Sequence, residues 1–241
     1  MLPQKIPRAP CGKFEVPMGN NITTYVVISG TNVEVPTIAS ITELLAPFEV
    51  VVTSRQADQI QKYIGLLVFW NQKISLTSID DTQEIVSRHF GESLFCAKFI
   101  PDRPCRLADV GSGAGFPGLP LKILRPEMQV FLIEQDTRKA AFLNEVVRLL
   151  NLDTVKVLRT HYETMPPDLA NFDFVTARAV GNHKLVLKWA SPRLAEGGRV
   201  ILMVGIDDAT RIMTTKGWIW TNPYPVPQSR KRVILIGTLS K

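Results

Sequence analysis

The chain has 241 residues, 45% of them hydrophobic, enough for a substantial core in one domain or in one domain with an appendage. No apolar run is long enough to span a bilayer, and the N-terminus lacks the uninterrupted apolar segment of a signal peptide, so a cytoplasmic protein without a membrane partner is expected. The net charge of +6 equals the six Lys and Arg from Arg211 onward, a stretch without an acid that includes Arg230-Lys231-Arg232 and reads equally as a phosphate contact or a solvated edge.

Residues 1–38 fit poorly with the rest of the chain. Their one extended, β-branched run, ITTYVVISGTNVEV, predicts a hairpin around Gly30, and the segment as a whole is expected to be a loosely attached or partly disordered extension without assigned function. Residues 39–100 turn helical. Ile41, Leu44 and Leu45 give one short apolar face; Thr53-Ser-Arg-Gln56 resembles a capping box opening a longer helix with Ile60, Tyr63, Ile64, Leu67 and Val68 on one side. Asp81 with Glu84 repeats the start signal before a third helix carrying Ile85, Val86, His89, Phe90 and Leu94. Cys11, Cys96 and Cys105 are an odd number without metal-ligand spacing, so they read as reduced structural thiols and no metal is expected.

Pro101 and Pro104 mark the linker into residues 101–241, where strand and helix alternate. Strands are predicted near 106–110, 129–134, 154–159, 172–177 and 199–204, with helices near 117–125, 137–150 and 182–191. That alternation implies a parallel sheet with right-handed crossovers. Gly197-Gly198 supplies the turn into the fifth strand. Two later apolar runs, at 217–221 and 233–237, predict an antiparallel pair at the sheet edge.

The stretch LADVGSGAGFPGLP, 107–120, reads as a buried strand end, a glycine turn and a helix start. Taken literally, Gly113-Ala-Gly115-Phe-Pro-Gly118 is a GxGxxG, and Glu134 stands 21 residues beyond Gly113, as a ribose-binding acid does in dinucleotide-binding folds. Asp109 argues against a pyrophosphate on that turn and for a cofactor that brings a cation, as S-adenosylmethionine does. Acid plus GxGxG is the signature of class I methyltransferases. A dinucleotide-dependent oxidoreductase stays open at this point.

These residues resemble one family closely. DVGSGAGFPGLPLKI, WNQKISLTSI, RHFGESL and VTARAV are similar, in order, to motifs of the bacterial small-subunit ribosomal RNA N7-guanine methyltransferase family RsmG, also called glucose-inhibited division protein B. The resemblance runs from about residue 41 to the end. It implies an α/β, class I Rossmann-like fold with a mostly parallel seven-stranded sheet and an N-terminal helical extension, S-adenosylmethionine as cofactor, 16S ribosomal RNA of the small subunit as partner, and a monomer. Carried over by position, cofactor contacts fall on Gly111, Phe116, Tyr162, Glu163 and Arg178, joining Asp109, Gly113 and Glu134. Beyond that carry-over, Arg88, His89, Arg178, Arg230 and Arg232 are the expected RNA phosphate contacts, with Phe116 and Trp70 as candidate stacking faces for the target base.

The implied reaction is methyl transfer to guanine N7, which has a lone pair and no proton, so no catalytic base is expected. The sequence departs from the family at His161 and Val204, where basic residues are usual, at Ser75, and at Gly91-Glu92, which replace an apolar-Asp pair. Class I methylation of a protein or small molecule, and a non-catalytic RNA-binding module on the same fold, are the alternatives.

Overall fold

The structure, a computed structural model, describes residues 23–28 and 30–240. Cys11 and most of the N-terminal segment lie outside the described residues. The predicted hairpin forms: β1 (Thr23–Ile28) pairs antiparallel with β2 (Thr31–Pro36), from Thr23 opposite Pro36 to Ile28 opposite Thr31. It is not loosely attached. Alternation turns Val26, Ile28, Val33 and Val35 to one face, all buried in the main core, because the hairpin lies on α2. Gln61 Nε2 donates to Pro36 O at 2.8 Å and completes the attachment.

α1 (Ile38–Leu45) precedes α2 (Ser54–Asn71), whose capping box at Thr53 and Gln56 closes as the sequence predicts. Gln56 also donates from Nε2 to Ile123 O at 3.1 Å, so the cap ties α2 to the later half of the chain. α3 (Thr82–Glu84) opens on Asp81, whose carboxylate accepts from Glu84 N. A π-helical stretch, Ile85–Gly91, then joins it to α4 (Glu92–Phe95). This wide turn carries His89 and leads into Glu92, and such turns gather at functional sites.

β3 (Arg106–Val110), α5 (Gly118–Leu124), β4 (Gln129–Ile133), α6 (Thr137–Leu149), β5 (Val155–Leu158), β6 (Phe172–Arg178) and α7 (His183–Ala190) follow the predicted alternation. β7 (Leu194–Gly205) starts earlier than expected. Gly197-Gly198 lie inside it, with Gly197 at φ +71° beside a register irregularity at Phe172/Phe174, so the glycines form a bulge within the strand. α8 (Ile206–Ile212) has no counterpart among the predicted elements. β8 (Trp218–Trp220), the two-residue β9 (Tyr224–Pro225) and β10 (Arg232–Leu239) complete the sheet.

The strand order is β5-β4-β3-β6-β7-β10-β8, with β9 also on β10; the first five are parallel and β10 is antiparallel to its three neighbours. One face of the sheet packs on α2, α5 and α6, the other on α7 and α8. β3 sits where the chain reverses direction across the sheet, with β4 on one side and β6 on the other, and the crevice beyond the carboxyl ends of such strands is where ligands bind in open α/β sheets. Gly111 follows β3, Glu134 follows β4 and Arg178 ends β6, so topology alone brings three predicted residues to one rim. Among the described residues no helix is long and apolar enough to cross a membrane.

Candidate active site

Two adjoining cavities open at this rim and share Val180 and Gly181. The smaller, about 260 Å³, is lined by Gly111, Glu134, His161 and Tyr162 among others. Gly111 takes φ +69° and Gly113 φ +55°, conformations that favour glycine, and a Cβ on Gly111 would come within 3.0 Å of Val180 Cγ1. Glu134 is buried at the cavity floor; its Oε2 accepts from Gly113 N and its Oε1 from Asp136 N, both at 2.8 Å. The carboxylate thus locks the glycine turn, and each oxygen retains a further acceptor site. His161 stacks on Tyr162 with centroids 4.7 Å apart. Glu163 is not in the lining: its side chain is 45% exposed and stands 3.4 Å from His161 Nδ1.

The larger cavity, about 420 Å³, holds Arg178 and Arg232 on either side of Glu92. Arg178 Nη2 lies 3.4 Å from Glu92 Oε2 and Arg232 Nη2 lies 2.6 Å from Glu92 Oε1, while the Glu92 side chain is only 3% exposed. Burial raises the Glu92 pKa above the ordinary carboxylate value, and the charges of Arg178, Arg232 and Arg88 offset only part of that rise. Arg178 does not pair with Asp173, which meets Arg103 and accepts from Arg106 N.

Arg178 is held further by donating to Arg88 O at 3.0 Å and by His89 Nδ1 at 3.2 Å. An arginine cannot accept, so Nδ1 is the acceptor and His89 carries its proton on Nε2, 2.7 Å from Thr77 Oγ1. Burial, then the neighbouring Arg178, Arg88 and Arg232, lower the His89 pKa to about 3 and keep the ring neutral. Thr77 is placed by Asn71 Oδ1, which accepts from Leu76 N and Thr77 N. The tryptophan-asparagine helix end therefore reaches the site through Thr77 and His89. Ala179, directly after Arg178, is left-handed at φ +53°, a strained loop position at the cavity wall.

Several expectations change here. Asp109 faces no cavity: it is fully buried, its Oδ1 accepts from Thr176 Oγ1 at 2.7 Å and its Oδ2 from Gly118 N at 3.2 Å. It knits β3, β6 and the start of α5 together and presents no open face at which the expected cofactor cation would sit. Phe116 is packed between Tyr63 at 5.5 Å and His89 at 4.8 Å, so it belongs to the core and lines neither cavity. Trp70 is buried with Nε1 donating to Glu145 Oε2, and neither ring offers a free face to a base.

His89 is engaged on both nitrogens and carries no charge toward a phosphate. Arg178 and Arg232 line the larger cavity and not the smaller one. Arg88 pairs with Glu84, while Arg230 is exposed. The residues that sequence reasoning missed are Glu92 and Tyr63, whose hydroxyl donates to Ala114 O and braces the glycine turn. RHFGESL carried Glu92 in plain view, but no local pattern tells that a helical acid will face two distant arginines.

The family described as rRNA small subunit methyltransferase G matches residues 56–222. The chain belongs to that family. A relative from Roseiflexus castenholzii, named Ribosomal RNA small subunit methyltransferase G, is 46% identical over 159 residues, covering 64% of this chain and 68% of its own. One of the same name from Lactococcus lactis subsp. cremoris is 32% identical over 205 residues, covering 80% and 86%.

Among solved structures, a precorrin-6y C5,15-methyltransferase from Geobacter metallireducens superposes with TM-score 0.53 at 15% identity, covering 69% of this chain and 91% of that one. The glycopeptide N-methyltransferase MtfA complexed with (S)-adenosyl-L-methionine gives 0.54 at 11% identity, covering 63% and 94%. At such identities the likeness speaks for the fold, which is the class I methyltransferase fold. Members of this family are S-adenosylmethionine-dependent methyltransferases, and the smaller cavity suits that cofactor: a buried carboxylate with acceptor capacity for ribose hydroxyls lies beside glycines that keep the backbone open. Gly111, Glu134 and Tyr162 are the predicted residues present there.

Proposed function

We propose that this chain transfers a methyl group from S-adenosylmethionine to N7 of a guanine in the 16S ribosomal RNA of the small subunit, a substrate that implies the cytoplasm. The observation that carries this reading is the pair of joined cavities at the β3/β6 rim, one fitted for an adenosine-type cofactor and one lined by arginines, in a chain of this family. The cofactor, when bound, supplies an electrophilic methyl group on a sulfonium. The chain's own residues position the reactants: Glu134 and the Gly111–Gly113 turn hold one side, and the loop from Arg178 to Gly181 borders both cavities.

No general base is needed, because N7 has an in-plane lone pair and no proton. The larger cavity agrees with that chemistry, since its carboxylate is tied to two guanidinium groups and the neighbouring imidazole is held neutral. The A-form major groove is too narrow for side chains, so the base must enter unpaired or extruded. Arg230, exposed on the loop before β10, and Arg88 serve the RNA backbone.

The test is transfer of radiolabelled methyl to small-subunit particles from a strain lacking its own enzyme of this type, followed by mass spectrometry of the digested RNA. We expect 7-methylguanosine. Transfer to protein or to a small molecule, with no modified nucleoside, overturns the reading.

A further inference from the structure

The larger cavity is poorly built for a phosphate. Two carboxylates line it, the buried Glu92 and Asp208, and both repel an anion, while both arginines already spend a nitrogen on Glu92. Two donors stay unused: Arg178 Nη1 and Arg232 Nε are buried without any hydrogen-bond partner. No protein acceptor satisfies them, a costly state that a ligand with an acceptor would relieve. Each Glu92 oxygen meets one arginine and keeps capacity to accept from another donor. His183 and Asp208 also line the cavity, and Met203, Val204, Val226 and Val233 form an apolar part of its wall, a surface suited to a planar ring. A ligand matching this set is flat and presents one acceptor next to two adjacent donors.

Resting on the function proposed above, we infer that Glu92 and Arg178 read the Watson–Crick edge of the target guanine. Glu92 accepts from N1–H and from the N2 amino group, and Arg178 Nη1 donates to O6. Adenine presents the reverse at both places, a donor at position 6 toward the guanidinium and an acceptor at N1 toward the carboxylate, so it leaves buried groups unpaired and is rejected. N7 lies on the other side of the purine from N1 and N2, so this grip leaves the nucleophilic atom free. The shared wall at Val180 and Gly181 sets the base beside the cofactor cavity. Val204 then serves as part of the ring slot.

The test uses inosine, which differs from guanosine only by lacking the N2 amino group. Once mass spectrometry has mapped the methylated position, 16S RNA carrying guanosine or inosine there is prepared by ligation and reconstituted into particles. Wild-type kcat/KM on inosine is expected to fall at least tenfold, on the order of one hydrogen bond to a charged acceptor. Glu92→Gln is expected to bind S-adenosylmethionine as wild type does by calorimetry, to lose about tenfold or more on guanosine, and to narrow the inosine penalty to about two- to threefold.

An inosine penalty equal in wild type and Glu92→Gln means that Glu92 only neutralises the arginines, and overturns the inference. If Glu92→Gln fails to fold, wild type alone decides, since inosine methylated as well as guanosine overturns the assignment and a tenfold deficit supports it. Absence of 7-methylguanosine on natural particles sinks the proposed function and this inference together, whereas efficient inosine methylation sinks only the inference.

Discussion

Asp109 gives the sharpest physical test. Burial raises its pKa from 3.8 to about 6, against the opposing pull of hydrogen bonds from Thr176, Gly118 and Ser112 and the charge of Arg178. In the unfolded chain the carboxyl ionises near its ordinary value. As pH rises from about 4 to about 6, the unfolded state therefore releases this proton while the folded state still holds it, and stability falls. The shift of about two units corresponds to about 3 kcal/mol, fully favourable below pH 4, lost progressively by pH 6 and constant above.

Asp109→Asn removes the titration with little change of shape. Its Oδ1 can accept from Gly118 N and its Nδ2 can donate to Thr176 Oγ1, so no buried group is stranded. Urea unfolding of both proteins from pH 4 to 8, followed by the fluorescence of the four tryptophans, should show the wild type losing about 3 kcal/mol relative to the variant across that window. Other carboxyls are common to both proteins and largely cancel in the difference. A difference that stays flat or rises with pH would refute the burial argument. Because Asp109 lines neither cavity, S-adenosylmethionine affinity in Asp109→Asn should stay within about threefold of wild type, and loss of binding would return the residue to the cofactor site.

Glu134→Gln should weaken S-adenosylmethionine binding by about tenfold in calorimetry, since the amide keeps one acceptor for the glycine turn and loses the charge that favours ribose hydroxyls. Unchanged affinity would move the ribose elsewhere. Arg230→Ala should weaken binding to small-subunit RNA and make the logarithmic salt slope shallower by about one, with cofactor affinity intact. Arg232→Ala, which strips Glu92 of its 2.6 Å partner, should instead cut turnover with little effect on that slope; equal behaviour of the two variants would contradict their separate placements. Gly91→Ala should destabilise the fold by about 1–3 kcal/mol, because the added Cβ would meet the Phe48 ring, 2.5 Å from Cδ2, and unchanged thermal stability would mean that Phe48 has room to move.

The chain's local patterns determined its elements. Alternating apolar runs and glycine turns set the β/α order, Thr53 and Gln56 announced the α2 cap, and the spacing from Gly113 to Glu134 placed a carboxylate where it locks the turn, because each depends on residues close in sequence or on one βαβ unit. The ordered motifs from WNQKISLTSI to VTARAV carried the family. What the patterns misjudged were partners far apart in the chain. Asp109 sits in a strand-end motif that reads as a ligand contact, yet strand β6 closes over it with Thr176, 67 residues away. Phe116 reads as a pocket wall until α2 supplies Tyr63 to stack on it.

His89 and Arg178, two apparent RNA or cofactor groups 89 residues apart, become one neutral-and-charged pair, and Glu92 becomes the shared anion of Arg178 and Arg232. The order of residues was therefore enough for the fold, the family and the rim on which the site lies. Long-range packing settled which polar side chains at that rim face a cavity and which are spent on one another, because burial and pairing of a charge depend on distant neighbours that no local pattern specifies.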